Sequence, residues 1–301
     1  MKVIIIIILI LNKLSCQTEE NSCIYYNDHR IKLWAKKCYV KRGYKDIMNK
    51  ELGYVSFGTI DNATGKADNK VISLGDSGYV ICTFEKTIRN GEGYDFAIFE
   101  NAFVDSFLEL AFVEVSSDSI HWVRFPALSL TPTQEQIGPF GYINHNNIFN
   151  LAGKCKAYYG TLFDISDLPD YPFLNKNNIK YIKVIDVIGC INCLYSQTDY
   201  YGNIINDPYP TAYETGGFDL DAIGIINYSD NDDTNIYLYD ENKKKISFNI
   251  ELNVKIFNTK GQIILEQNKT KECDLSRLYK GIYLLQLYNE KIFITKKICI
   301  K

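Results

Sequence analysis

The residues best equipped for chemistry in this sequence are carboxylates. Asp219 and Asp221 stand two apart in the run GGFDLDAIG at 216–224. If that run is a strand, both side chains leave one face while Phe218 and Leu220 leave the other. Two carboxylates on one face repel unless a cation or a donor network neutralises them. Asp95, Glu100 and Asn101 cluster in and just after a second apolar run, and Asp199, Asn203 and Asp207 occupy a polar stretch before the aspartate pair. Oxygen ligands in this number suit Ca2+, which takes about six to eight. These residues are therefore the candidate metal ligands. The plainer alternative is a solvated acidic face with Asp and Asn capping turns. The same carboxylates could form a glycosidase pair, held about 5 Å or about 6.5–9.5 Å apart according to mechanism, but nothing in the pattern marks one as the proton donor.

Other catalytic patterns are weaker. The tetrapeptide GDSG at 75–78 matches the nucleophile turn of chymotrypsin-like proteases, yet only His29 precedes it, outside any matching motif, so a hairpin turn is the better reading. The three histidines, His29, His121 and His145, form neither HxH nor HExxH, which removes support for a zinc enzyme. The CINC run at 190–193 follows a strand-like segment and leads into a polar loop, not a helix, so it reads as a loop staple or two free thiols rather than a redox centre. Aromatic residues crowd the loop-like stretches (Phe140, Tyr142, Phe149, Tyr158, Tyr159, Tyr195, Tyr200, Tyr201, Tyr209, Tyr213). They either present stacking platforms to flat ligands or cover the ends of the core.

The elements that must position these groups are strands. Tyrosine is abundant at 23 and methionine scarce at 2, and β-branched and aromatic residues dominate the apolar runs. Short apolar segments at 79–84, 95–99, 110–116, 121–125, 179–187 and 218–226 alternate with turn residues such as RNGEG at 89–93. That spacing without a helical period predicts a β-sandwich or jelly roll. The pattern is lost between 126 and 178, apart from a short helical turn around 166–168, and long ordered loops of this kind commonly carry function.

The N-terminus reads as an export signal. Lys2 supplies a positive charge, an apolar run covers 3–11, and LSC at 14–16 ends the segment. The run is too short for a bilayer span of about 20 residues and suits a signal-peptide core. Lys13 is unusual for a lipobox, so cleavage near Cys16 is favoured over acylation of Cys16. Nine cysteines in an exported chain imply disulfides, with one sulfur left over. The net charge of −3 with scattered basic residues gives no electrostatic footprint for nucleic acid. The stretch SDNDDT at 229–234 has nothing to bury and reads as a linker; its faint likeness to a calcium loop lacks the EF-hand glycine and glutamate.

The C-terminal segment contains VKIFNTKGQ at 254–262, DLSRLYKGIYL at 274–284 and FITKK at 293–297. It resembles the type A sorting domain of the type IX secretion system of Bacteroidetes, although YDENK at 239–243 stands where that family usually has a PNP motif. The resemblance implies outer-membrane translocation by the type IX machinery and removal of the domain. The preceding region resembles a family of Bacteroidetes cell-surface proteins, through SLG at 73–75, GYDFAIFENA at 93–102, EVSSD at 114–118, NLAG at 150–153, GTLFD at 160–164 and GGFDLDAIG at 216–224. The segment EVSSDSIHW at 114–122 is also similar to galactose-binding-like jelly rolls. These resemblances imply a non-enzymatic surface protein that binds a glycan or a nutrient such as cobalamin, next to an outer-membrane uptake receptor. The alternatives are a glycoside hydrolase and a structural surface protein.

The expected organisation is all-β: a signal peptide at 1–16, a jelly-roll binding domain at 17–229, a linker at 230–233 and a small Ig-like β-sandwich sorting domain at 234–301. Deleting 234–301 should leave a soluble, cooperatively melting domain held in the periplasm. Protease accessibility of the truncated protein on intact cells would overturn the sorting reading.

Overall fold

The computed structural model describes residues 22–104, 107–229, 237–240, 244–290 and 293–300. The expected leader at 1–16, with Cys16, and the acidic linker at 230–233 lie outside them. Helix among the described residues is confined to short 3-10 turns, such as Ile60–Ala63 and Ile165–Asp167. Everything else regular is antiparallel strand.

The first sheet holds β1 (Cys23–Tyr25), β2 (Leu33–Trp34), β4 (Ile72–Ser73), β6 (Phe96–Glu100), β11 (Tyr159–Phe163) and β13 (Asp219–Ile225). The second holds β3 (Lys37–Lys41), β5 (Tyr79–Ile88), β7 (Ala111–Ser116), β8 (Val123–Arg124), β12 (Ile179–Asp186) and β14 (Tyr228–Ser229). A small ladder pairs β9 (Leu128–Ser129) with β10 (Ile148–Phe149). From β4 onward the chain crosses between sheets in a regular way. This produces the order β4-β13-β6-β11 in one sheet and β5-β12-β7-β8 in the other. That is the jelly-roll arrangement.

Alternation along each strand builds the core. Phe96 and Ile98 of β6, Val80 and Cys82 of β5, Val113 and Val115 of β7, and Ile182 and Val184 of β12 all enter one buried cluster. Phe96 stacks on Phe163 at 5.2 Å, with Phe125 edge-on to both. The other face of the first sheet is buried too: Ala97, Phe99, Leu162 and Ala222 lie under Ile24, Trp34 and Ala67. The loops of segment 22–71, through Tyr26, Ile31 and Ala67, thus cover this face, while its β1 and β2 extend the sheet and its β3 joins the other. Burial on both faces explains why FAIF at 96–99 reads as an unbroken apolar run.

Two parts of the fold differ from expectation. β11 lies inside the 126–178 stretch taken as irregular, yet it is a central strand, paired with β1 on one side and β6 on the other. Its five residues include Gly160, and so short a run carries little alternation. β1, β2 and β3 precede the first expected strand; β1 and β2 are too short to show a period, and β3 alternates over only five residues.

The tail has its own sheet and its own core. β15 (Tyr237–Asp240), β16 (Lys245–Phe257), β17 (Ile263–Asp274), β18 (Gly281–Tyr288) and β19 (Phe293–Ile300) form it. Its long β16 and β17 carry register shifts that bend the sheet over Leu252, Val254, Ile256, Leu285 and Leu287. The NTKGQ turn has a clear physical basis. Asn258 Oδ1 accepts the amides of Lys260 and Gln262, at 2.9 and 3.0 Å. Gly261 takes a positive φ of 78°, which a side chain would resist.

Disulfides join Cys23 to Cys155, Cys38 to Cys82 and Cys190 to Cys193. The last lies within the CINC loop. Cys23–Cys155 closes a span of 132 residues and ties edge strand β1 to the approach of β11. Replacing both cysteines by alanine should lower unfolding free energy in denaturant titrations by about 2–5 kcal/mol; an unchanged midpoint would show that β1 is held without the bond.

Candidate functional site

The antiparallel register gathers one set of strand ends and their longest connections at a single end of the sandwich. Glu100, the last residue of β6, pairs with Leu220 at the start of β13, and Asp186, the last residue of β12, pairs with Ala111 at the start of β7. The turn 74–78, the segment 101–110 and the loops 125–158 and 187–218 all arise here. Strand alternation then dictates what lies beneath them. Phe96 and Ile98 point into the core, so Glu100 follows them inward, and Asp186 follows Ile182 and Val184 in the same way. Glu109 precedes Ala111 by two residues on the inward row of β7. Asp207 comes from the 187–218 loop and Asp219 opens β13.

Backbone amides from the connections hold these carboxylates. Asp186 accepts from Phe218 N at 2.7 Å through Oδ1 and from Ser77 N at 3.2 Å through Oδ2. Gly217 makes the first contact possible: a Cβ there would stand 2.4 Å from Asp186 Oδ1, and its φ is 70°. Asp207 Oδ2 accepts from Leu110 N at 3.1 Å, and Glu100 Oε2 accepts from Ala102 N at 2.8 Å. Asp219 accepts the Ser73 hydroxyl, and Asp76 accepts the Ile47 amide at 2.8 Å. Asp207 Oδ1 is different. It is buried and has no hydrogen-bond partner, in a residue only 3% exposed. An orphaned carboxylate oxygen of this kind is costly.

The electrostatics follow from this burial. Desolvation pushes the Glu100, Glu109, Asp186 and Asp207 carboxyls well above the usual carboxylate range. Repulsion adds to it: Asp219 and Asp207 act on Glu100, Asp76 and Asp207 act on Asp186, and Asp219, Glu100, Asp207 and Asp186 all act on Glu109. Burial raises Asp219 to about 7 despite the opposing Ser73 hydroxyl, Arg42 charge and Asn101 amide. Burial likewise raises Asp76 to about 7. Glu109 and Asn101 are the members partly open to solvent. Above them the rim is aromatic: Phe140 touches Phe107 at 6.3 Å and Tyr213 at 5.8 Å, joining three of the connections.

Of the residues singled out from the sequence, Glu100, Asn101, Asp207 and Asp219 meet here. Asp95 does not. It immediately precedes β6, about 17 Å from Glu100 at the rise of an extended chain, and accepts Gly91 N, Ile165 N and Asn227 Nδ2 at the opposite end. Asp199 and Asn203 organise the 187–218 loop and tie it to β9, with Asp199 accepting Ser129 N, Tyr201 N, Asn203 N and Asn203 Nδ2. Asp221 occupies a β-bulge between Leu220 and Ala222 and accepts the amides of Asp68 and Asn69, both at 3.1 Å. These donors are its own, whereas Asp219 accepts from Ser73. Burial still raises the pKa of Asp221 to about 6. Asp76, Glu109 and Asp186 were not singled out. Extending the inward rows of 182 and 184, or of 111 and 113, by one step would have found two of them.

Among the described residues no group of three or more His, Cys, Asp or Glu side chains is assembled closely enough to hold a metal ion. Comparison with curated proteins finds no match for the chain. Residues 231–301 match the family described as "Secretion system C-terminal sorting domain". The tail therefore marks this chain for the type IX secretion machinery, with export to the cell surface or release beyond it as the outcome.

Proposed function

We propose that residues 22–229 are a non-enzymatic binding module carried to the cell surface, stabilised by calcium at the acidic end of the jelly roll, with a carbohydrate or a nutrient such as cobalamin as ligand and an outer-membrane uptake receptor as neighbour. The observation that carries the calcium reading is the buried, unpartnered Asp207 Oδ1, placed where Glu100, Glu109, Asp186 and Asp219 already repel one another. The donor chemistry fits: every candidate ligand offers oxygen, as a hard divalent cation requires. Asp207, Glu100, Glu109 and Asp219 would hold the ion, and Glu109 and Asn101 give it a way in. Because the carboxylates are not preassembled, the ion must draw them together on binding. The resemblance to surface proteins and galactose-binding-like jelly rolls supports the binding role, as do the aromatic residues of the rim. A glycosidase would need its two carboxyls facing each other across an open groove, whereas Glu100 and Asp207 are buried.

Protons are the competing way to neutralise the cluster, and pH separates the two. Carboxyls with raised native pKa values hold protons that the unfolded chain releases above about pH 4. The native state then binds more protons, so stability falls as pH climbs from about 4 through about 7, the value for Asp76 and Asp219. In EDTA the full chain should melt lower at pH 8 than at pH 5; a rising or flat profile would show that the cluster is not protonated in the native state.

Calcium should flatten that profile, since it binds the ionised form. At pH 8 a saturating excess of about 100-fold over Kd would add about 2.7 kcal/mol, read as an upward shift in melting temperature against EDTA. Asp207→Asn should lose most of the shift. Asp221→Ala should lower both melting temperatures equally, because its donors are the Asp68 and Asn69 amides. Identical melting of the wild type in calcium and in EDTA would leave protonation as the explanation.

A further inference from the structure

We infer that a cleft beside β8, away from the acidic cluster, binds an acidic sugar unit of a polysaccharide. This rests on the binding-module reading above and gives it a location and a ligand class. The cleft measures about 380 Å³, within the usual range of about 300–1,000 Å³ for small-ligand sites. Its walls come from three places: Trp122 and Arg124 at β8, Tyr171 and Phe173 from the connection before β12, and Tyr200 from the 187–218 loop.

The aromatic residues supply flat apolar surface. Tyr171 and Phe173 stack at 5.1 Å with planes 12° apart, forming a continuous platform. Tyr200 is 62% exposed and Tyr171 43%. Rings left in water at the mouth of a cleft suit the C–H face of a pyranose, which is apolar while its edge is polar.

Charge selects the class of sugar. Arg124 Nε and Nη2 both donate to Glu114 Oε1, at 3.0 and 2.9 Å, while Lys183 Nζ donates to Glu114 Oε2 at 2.7 Å. Two cations therefore share one carboxylate, which leaves one positive charge in surplus. Lys183 and Glu114 are largely covered, with side chains 16% and 12% exposed, and Lys183 sits 4.0 Å over the Trp122 ring. Arg124 is 44% exposed and lies over Phe112 at 4.2 Å, so the surplus charge is presented at the cleft by the guanidinium. The carboxylate in the lining, Asp199, is buried and directs its oxygens at the amides of Ser129, Tyr201 and Asn203 and at Asn203 Nδ2, so the charge exposed at the cleft is that of Arg124. An anionic group on a stacked ring, either a uronate carboxylate or a sulfate ester, complements this arrangement.

Affinity electrophoresis and calorimetry on the full chain in calcium should test four probes: polygalacturonate, carrageenan, neutral dextran and cobalamin. Binding is expected to polygalacturonate or to carrageenan, which separates the carboxylate from the sulfate source, and it should weaken with added salt. Arg124→Gln and Tyr200→Ala should each weaken it by about tenfold or more; both side chains are substantially exposed, so melting temperatures should hold within a few degrees. Equal affinity in wild type and both variants overturns the cleft. Binding of dextran or cobalamin that neither variant alters overturns it while leaving the binding module standing. Binding of none of the four overturns both.

Discussion

Like charges cannot be stacked freely between two β-sheets. Two ionised groups about 6 Å apart at an effective dielectric constant of about 20 repel by about 3 kcal/mol, and a whole domain is stable by only about 5–15 kcal/mol. The jelly roll nevertheless places Glu100, Glu109, Asp186 and Asp207 at one end of its core, with Asp219 beside them on the face of β13 opposite Phe218 and Leu220. Strand alternation leaves no choice in the matter: the residues that continue the apolar rows of β6, β7 and β12 must enter the gap between the sheets. The cluster therefore has to be neutral or bound to a cation for the sandwich to close, and the loops above it are arranged around that requirement.

The same carboxylates fasten those loops. Asp186 takes amides from the 74–78 turn and from the end of the 187–218 loop, and Asp207 reaches from that loop to Leu110. Charge state and loop order are thereby one property. The side cleft is coupled less directly, because its Arg124, Glu114 and Lys183 network lies on the outer row of the second sheet and needs nothing from the acidic end.

The sequence revealed most of this where period and length were sufficient. Strands of eight to ten residues such as β5 and β12 announce themselves, and the tail was legible because the Asn258 to Gln262 turn demands its residue types. Among the short strands, β6 was legible from its unbroken FAIF run, whereas β1 and β2 have only three and two residues, β3 alternates over just five, and β11 is buried at four consecutive positions. For the site, Asp219 and Glu100 were found from their motif neighbours. Asp95 was misplaced because closeness in sequence along a strand means separation in space. Asp221 was grouped with Asp219 on spacing alone, which is blind to the bulge and to the Asp68 and Asn69 amides.

The outermost strands carry a consequence for life in a crowded envelope. Open sheet edges invite pairing with a neighbour's backbone, and long flat ones seed aggregates. Here β2, β8 and β14 are two residues long and β1 is three. The longer β3 begins and ends with an exposed lysine. The edges of this sandwich therefore give a neighbouring copy little backbone to pair with, whereas the 12-residue β17 and 8-residue β19 of the tail are each paired on one side only among the described residues.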